Sequence, residues 1–100
     1  MGKDVKSEAV SQLFRAILTL QNEQECYQFF EDICTVNELL SLSQRLEVAT
    51  MLREGKTYGK VAEETGASTA TISRVNRSLS EDYDSCGGYI LVFNRLEGKK

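Results

Sequence analysis

Between Thr57 and Leu79 the chain reads TYGKVAEETGASTATISRVNRSL, with short hydroxyl and amide groups at Thr57, Ser68, Thr69, Thr71, Ser73 and Asn76 among cations at Lys56, Lys60, Arg74 and Arg77. Side chains of this kind do not suit bond-breaking chemistry. They hydrogen-bond base edges, and the cations neutralise phosphates. Such groups work only if something rigid presents them together. Thr57 is placed to N-cap a first helix by accepting from a free backbone amide, with Val61 and Ala62 as its small apolar inner face. Gly66 follows Thr65 where a helix ends in the left-handed conformation, which glycine adopts without steric cost. Ser68 then caps a second helix whose apolar residues Ile72, Val75 and Leu79 recur at i, i+3 and i+7, leaving Thr69, Ser73, Asn76 and Arg77 on the opposite face. Two short capped helices joined by a three-residue glycine turn form a helix-turn-helix over about residues 57–79. The expected partner is double-stranded DNA.

The charge distribution agrees with that placement. The chain of 100 residues carries a net charge of −3, yet Arg53–Leu79 holds five basic and three acidic residues, a balance of +2. Met1–Leu52 holds four basic against eight acidic residues and Ser80–Lys100 three against four, so the positive charge lies on the candidate reading unit alone. With 41% hydrophobic and 27% charged residues, the composition is that of one ordinary globular domain over residues 1–100. No apolar run approaches the ~20 residues a bilayer span needs. The start, MGKDVKSE, lacks the apolar centre of a secretory signal and has Lys6 where a myristoylation motif needs Ser or Thr. A cytoplasmic protein that does not engage a membrane is expected.

Three cysteines, no histidine and no C-x-x-C pair give no zinc site, and no metal or cofactor is expected. Cys26 and Cys34 on one helix would be about 12 Å apart, too far to bridge. Free cysteines are most often buried, so all three read as reduced and structural. Catalysis is not expected. No nucleophile elbow or phosphate loop is present, and Glu63 and Glu64 diverge by about 100° around a helix instead of converging.

The remaining sequence is helical in pattern and contains no proline. Val10, Leu13, Phe14, Ile17 and Leu18 predict a helix over about residues 6–20, and Cys26, Phe29, Phe30, Ile33 and Cys34 a second over about 23–34. Thr35 can cap a third, with Glu38 in its first turn and a stripe of Leu39, Leu42, Leu46 and Ala49. Leu40, Val48, Met51 and Leu52 spread apolar surface around its other sides, which suits a central helix. The stretch SEDYDSCGG after Leu79 is a loop by composition. Residues 89–96 fit a strand by residue type and a helix by spacing; with no partner strand in the chain, a helix is favoured. The expected fold is all-α, about six short helices. Leu13, Phe14, Ile17, Leu20, Tyr27, Phe29 and Phe30 crowd the first two helices and either pack a local core or form a dimer interface.

The ordered set of Thr35 to Leu39 (T-x-x-E-L), Arg45, Leu52 to Gly55 (LREG), Gly66 to Arg74 (GASTATISR) and Ser78-Leu79 resembles the Trp repressor family, above all its YerC/YecD-type branch in Gram-positive bacteria. The resemblance covers nearly the whole chain and is weakest at its ends. It implies an intertwined all-helical homodimer, each subunit offering a helix-turn-helix to an operator half-site. It places DNA contacts at Tyr58, Ser68, Thr69, Ala70, Thr71 and Ser73, with the amides of Ser68 to Ala70 able to hold a phosphate. It also matches Thr35, Arg45, Arg74 and Ser78 to the family's corepressor pocket. Val75 stands where tryptophan-sensing members carry glycine, and its stiff branched side chain would intrude on an aromatic ring. The implied function is a sequence-specific transcriptional regulator, a repressor that occupies its operator without responding to tryptophan. A non-catalytic protein-interaction module that retains the helix-turn-helix fold is the alternative.

Overall fold

The computed structural model describes residues 6–80 and 86–98, and among them every regular element is an α-helix. In chain order these are α1 Glu8–Ile17, α2 Glu23–Ile33, α3 Val36–Arg53, α4 Tyr58–Thr65, α5 Thr69–Leu79 and α6 Gly88–Leu96. By its contacts the chain divides into two units, Met1–Leu39 and Leu40–Lys100.

The first unit is built from strong local signals. Ser7 Oγ accepts from the Val10 amide at 3.2 Å and Asn22 Oδ1 from the Glu25 amide at 2.9 Å, so both helices begin on side-chain caps. Thr35 and Glu38 form a reciprocal capping box at the start of α3. The Thr35 hydroxyl accepts from the Glu38 amide at 3.0 Å while the Glu38 carboxylate accepts from the Thr35 amide at 2.8 Å. α1 is shorter than its periodicity suggests, because the amides of Thr19 and Leu20 turn to the carbonyls three residues back and the Thr19 hydroxyl donates to the Ala16 carbonyl at 2.6 Å. Neither α1 nor α2 buries a residue. Phe14 is 55% exposed, Leu18 81% and Tyr27 56%. The burial expected of the cysteines is corrected here: all three are free, Cys26 and Cys86 are exposed, and Cys34 is half-buried at the end of α2.

The second unit holds the core. Val48 and Ala49 of α3, Val61 of α4, Ala67 of the turn, Ile72 and Val75 of α5, and Phe93 of α6 form one buried cluster, with Met51, Leu52, Ala62, Leu79 and Tyr89 packed against it. The stripe expected on α3 is corrected in part. Ala49 is buried, but Leu42 and Leu46 remain exposed while Val48 takes the inner position. A helix apolar on several sides leaves the buried side to be chosen by its neighbours, and here the seam along Val48, Ala49, Met51 and Leu52 is used.

The ambiguous segment at residues 89–96 is helical and begins at Gly88. α6 is fastened to the end of α3: the Arg53 guanidinium lies 5.0 Å from the Phe93 ring centre and reaches Glu97 at 2.9 Å, and Tyr89 stacks on Phe93 at 6.2 Å. Most of the expected loop before it, residues 81–85, lies outside the described residues. Among the described residues no helix is long and apolar enough to cross a membrane.

Gly66 caps α4 at φ 73°, and its amide donates to the Ala62 carbonyl at 2.9 Å. A side chain in that conformation costs about 1–2 kcal/mol even though no atom lies within 4 Å of where its Cβ would sit. Gly66→Ala is therefore expected to lower the melting temperature by about 4–8 °C per kcal/mol lost. Thermal unfolding followed by circular dichroism checks this; an unchanged melting temperature would contradict the assigned strain.

Candidate nucleic-acid interface

The interface is assembled from α4, the turn and α5. Thr57 caps α4, its Oγ1 accepting from the Lys60 amide at 3.2 Å, and Ser68 caps α5, its Oγ accepting from the Thr71 amide at 3.1 Å. Between the caps, Thr65 organises the turn. Its hydroxyl donates to the Val61 carbonyl at 2.7 Å and accepts from the Ala67 amide at 3.1 Å. Its carbonyl, one of the groups a helix end leaves without a partner, accepts from Gln44 Nε2 of α3 at 3.1 Å. Gln44 carried no sequence signal as a site residue, because the pairing spans 21 positions.

With Ile72 and Val75 buried at 1% and 2% exposure, the rotation of α5 about its axis is fixed. Thr69, Ala70, Arg74, Asn76 and Arg77 are exposed, and Thr71 and Ser73 are half-buried at the edge of the same surface. The amides of Thr69 and Ala70 have no acceptor among the described residues, so the start of α5 presents free N–H groups and the positive end of the helix dipole. Ser68 also donates from its hydroxyl to Thr71 Oγ1 at 3.1 Å, which ties the capping residue to the first turn. On α4, Thr57, Tyr58 and Lys60 are exposed.

The cations differ in availability. Lys60 and Arg74 make no ion pair among the described residues, whereas Lys56 is half-buried and pairs with Glu64 at 3.4 Å and Glu54 at 3.9 Å. Lys56 is thus already neutralised within the unit.

The residues of the expected pocket fall in both units. Thr35 is occupied as the cap of α3, in the first unit. Arg45, Arg74, Val75 and Ser78 line one cavity of about 200 Å3, together with Thr71 and Tyr89. Ser78 sits one turn after Arg74, its hydroxyl 3.5 Å from the Arg74 carbonyl. Tyr89 was not foreseen, because its place in the wall follows from the packing of α6 on α5. Among the described residues no group of three or more metal-ligating side chains converges.

The family model of the Trp repressor protein matches residues 8–94, from the first residue of α1 into α6. The chain belongs to the Trp repressor family. Its similarity extends across the family fold and not only to the helix-turn-helix. It is 58% identical to a Bacillus subtilis (strain 168) protein named "Uncharacterized protein YerC", over 93% of this chain and 86% of that one. A crystal structure of a TrpR like protein from Eubacterium eligens is 60% identical and superposes with a TM-score of 0.86 over 96% of each chain. A Staphylococcus aureus crystal structure is 53% identical with a TM-score of 0.85, over 93% of this chain and 90% of that one.

Gln44→Leu removes the side-chain donor to the Thr65 carbonyl while keeping similar bulk on α3. We expect a loss of about 1 kcal/mol of stability with unchanged helix content. Urea unfolding measures it, and an unshifted midpoint would mean that the contact contributes nothing.

Proposed function

We propose that the chain is a homodimeric, sequence-specific DNA-binding regulator of the Trp repressor type that represses by occupying its operator. The observation that carries this reading is the presentation of α5: a helix locked by Ile72 and Val75, opening with free amides at Thr69 and Ala70 and edged by groups of base-reading size. The amides and Lys60, Arg74 and Arg77 serve phosphates, while Thr69, Ala70, Thr71, Ser73 and Asn76 face base edges directly or through water. Lys56, Thr57, Tyr58 and Ser68 border this surface. Membership of the family supports the reading, and nothing in it calls for catalysis.

The dimer draws support from α1 and α2, which bury no residue in the single chain and expose Phe14 and Tyr27, with Leu18 exposed just after α1. A second copy is the natural cover. Two-fold symmetry would then set two reading helices about 34 Å apart, one turn of DNA. Sedimentation at micromolar concentration is expected to give twice the 11.2 kDa chain mass; a clean monomer would remove the dimer from the proposal.

Tryptophan is not the expected effector. Val75 is 2% exposed and forms part of the cavity wall, so an indole would have to displace a buried branched side chain. Calorimetric titration with tryptophan should show no saturable heat.

For DNA, a chain that neutralises about six phosphates should lose roughly 10³-fold in affinity between 50 and 200 mM salt. We expect Lys60→Ala to weaken binding across all sequences and Thr69→Ala to change sequence preference by about 1–3 kcal/mol at one position. Mobility shifts and binding-site selection measure both. Absence of retardation of any DNA at low salt would favour a protein-interaction module instead.

A further inference from the structure

Gly59 is a glycine for which the fold supplies no reason. Among the described residues Gly55, Gly66, Gly87 and Gly98 sit at positive φ, where a Cβ is strained. Gly59 does not. It lies in the first turn of α4, exposed and in ordinary helical conformation, and outside its own stretch of helix no atom lies within 4 Å of where its Cβ would sit. Glycine in a helix lowers stability relative to alanine, because it gives up more backbone freedom on folding. Alanine would therefore fit at this position and strengthen α4. Gly88 is as open as Gly59, but it belongs to α6, outside the reading unit.

The bare position faces away from the core. Val61 is fully buried, and Gly59, two residues before it, points about 160° around the helix from it. Tyr58 and Lys60 flank the gap, both exposed, and Lys60, the one charged residue of that turn, makes no ion pair among the described residues. Glu63 follows on the same face one turn later, which confines a polyanion to the first turn.

We propose that Gly59 is the point where the DNA backbone comes closest to α4: with no Cβ in the way, the sugar-phosphate chain packs against the first turn beside Lys60 while α5 lies in the groove. Charge and continuity select this partner, since the turn carries a cation and α4 runs through Gly66 into the helix assigned to the DNA. Such a contact carries no sequence information and sets how deeply α5 enters. A side chain at Gly59 holds the backbone off α4 and lifts α5 with it, because Val61 and Ile72 are locked in one close-packed cluster. Gly59 is thus a positioning residue, and its role rests on the DNA-binding reading.

The test measures stability and DNA binding in the same variants of the full chain. Gly59→Ala is expected to raise the melting temperature by about 2–6 °C and to weaken binding of a labelled duplex at low salt by about fivefold. Gly59→Leu keeps a strong helix former and should weaken binding further, in step with its bulk. A purely structural glycine cannot give these opposite signs. The loss should be equal for the duplex favoured in binding-site selection and for one of scrambled sequence. Gly88→Ala, the control, should raise the melting temperature with DNA affinity unchanged. Undiminished DNA binding by both Gly59 variants overturns the proposal, and so does a lower melting temperature in Gly59→Ala, which would give the glycine a role inside the fold. A loss confined to the selected duplex assigns the contact to a base edge and overturns the backbone contact. An equal loss in Gly88→Ala traces the effect to stiffer helices, and overturns it too. If the wild-type chain retains neither duplex, the regulator itself fails; if it retains both and the Gly59 variants match it, only the close approach fails.

Discussion

One apolar seam governs the second unit. Val48 and Ala49 on α3, Val61 on α4, and Ile72 and Val75 on α5 are each at most 2% exposed, and the turn between α4 and α5 is closed by Ala67 in the same cluster. Because each residue rotates an α-helix by about 100°, burying Ile72 and Val75 determines which way every other side chain of α5 points. The surface proposed to read DNA is braced by no cross-link among the described residues. Its precision is borrowed from a cluster of small and β-branched residues, whose stiff rotamers leave little room for rolling.

Polar contacts refine what the seam sets. Gln44 and Thr65 satisfy the backbone at the turn, so that α4 can end at Gly66 without stranding a carbonyl. Elsewhere in the unit, Arg53 is held over Phe93 and against Glu97, and Lys56 between Glu54 and Glu64. These cations stabilise the fold. Arg45, Arg74 and Lys60 are left without carboxylate partners among the described residues, and that division between structural and available charge is the strongest electrostatic pattern in the unit.

Signals confined to one turn of helix were legible in the sequence. Thr57, Gly66 and Ser68 mark their helix ends because capping involves only neighbouring residues, and the spacing of Ile72, Val75 and Leu79 identified the inner face of α5. Ser7 and Asn22 do the same work in α1 and α2. What the sequence left open depended on distant neighbours. Leu42 and Leu46 are as apolar as Val48, and only the position of α4 and α5 decides which of them is enclosed. Lys56 finds Glu64 across eight positions, and Tyr89 meets the cavity wall from a helix on the other side of residues 81–85. Cys26 is exposed because its whole helix is, a property of the surroundings and not of the thiol.

The absence of any buried side chain in α1 and α2 has a consequence for how this protein is maintained. Helices of ten and eleven residues are marginal on their own in water. In the proposed homodimer their order would depend on the partner copy, whose occupancy follows mass action. Abundance would then become a folding variable: dilution would fray the first unit before the second, and the frayed segment would be what a protease meets first. A chain that dimerises in this way would couple its lifetime to its own copy number.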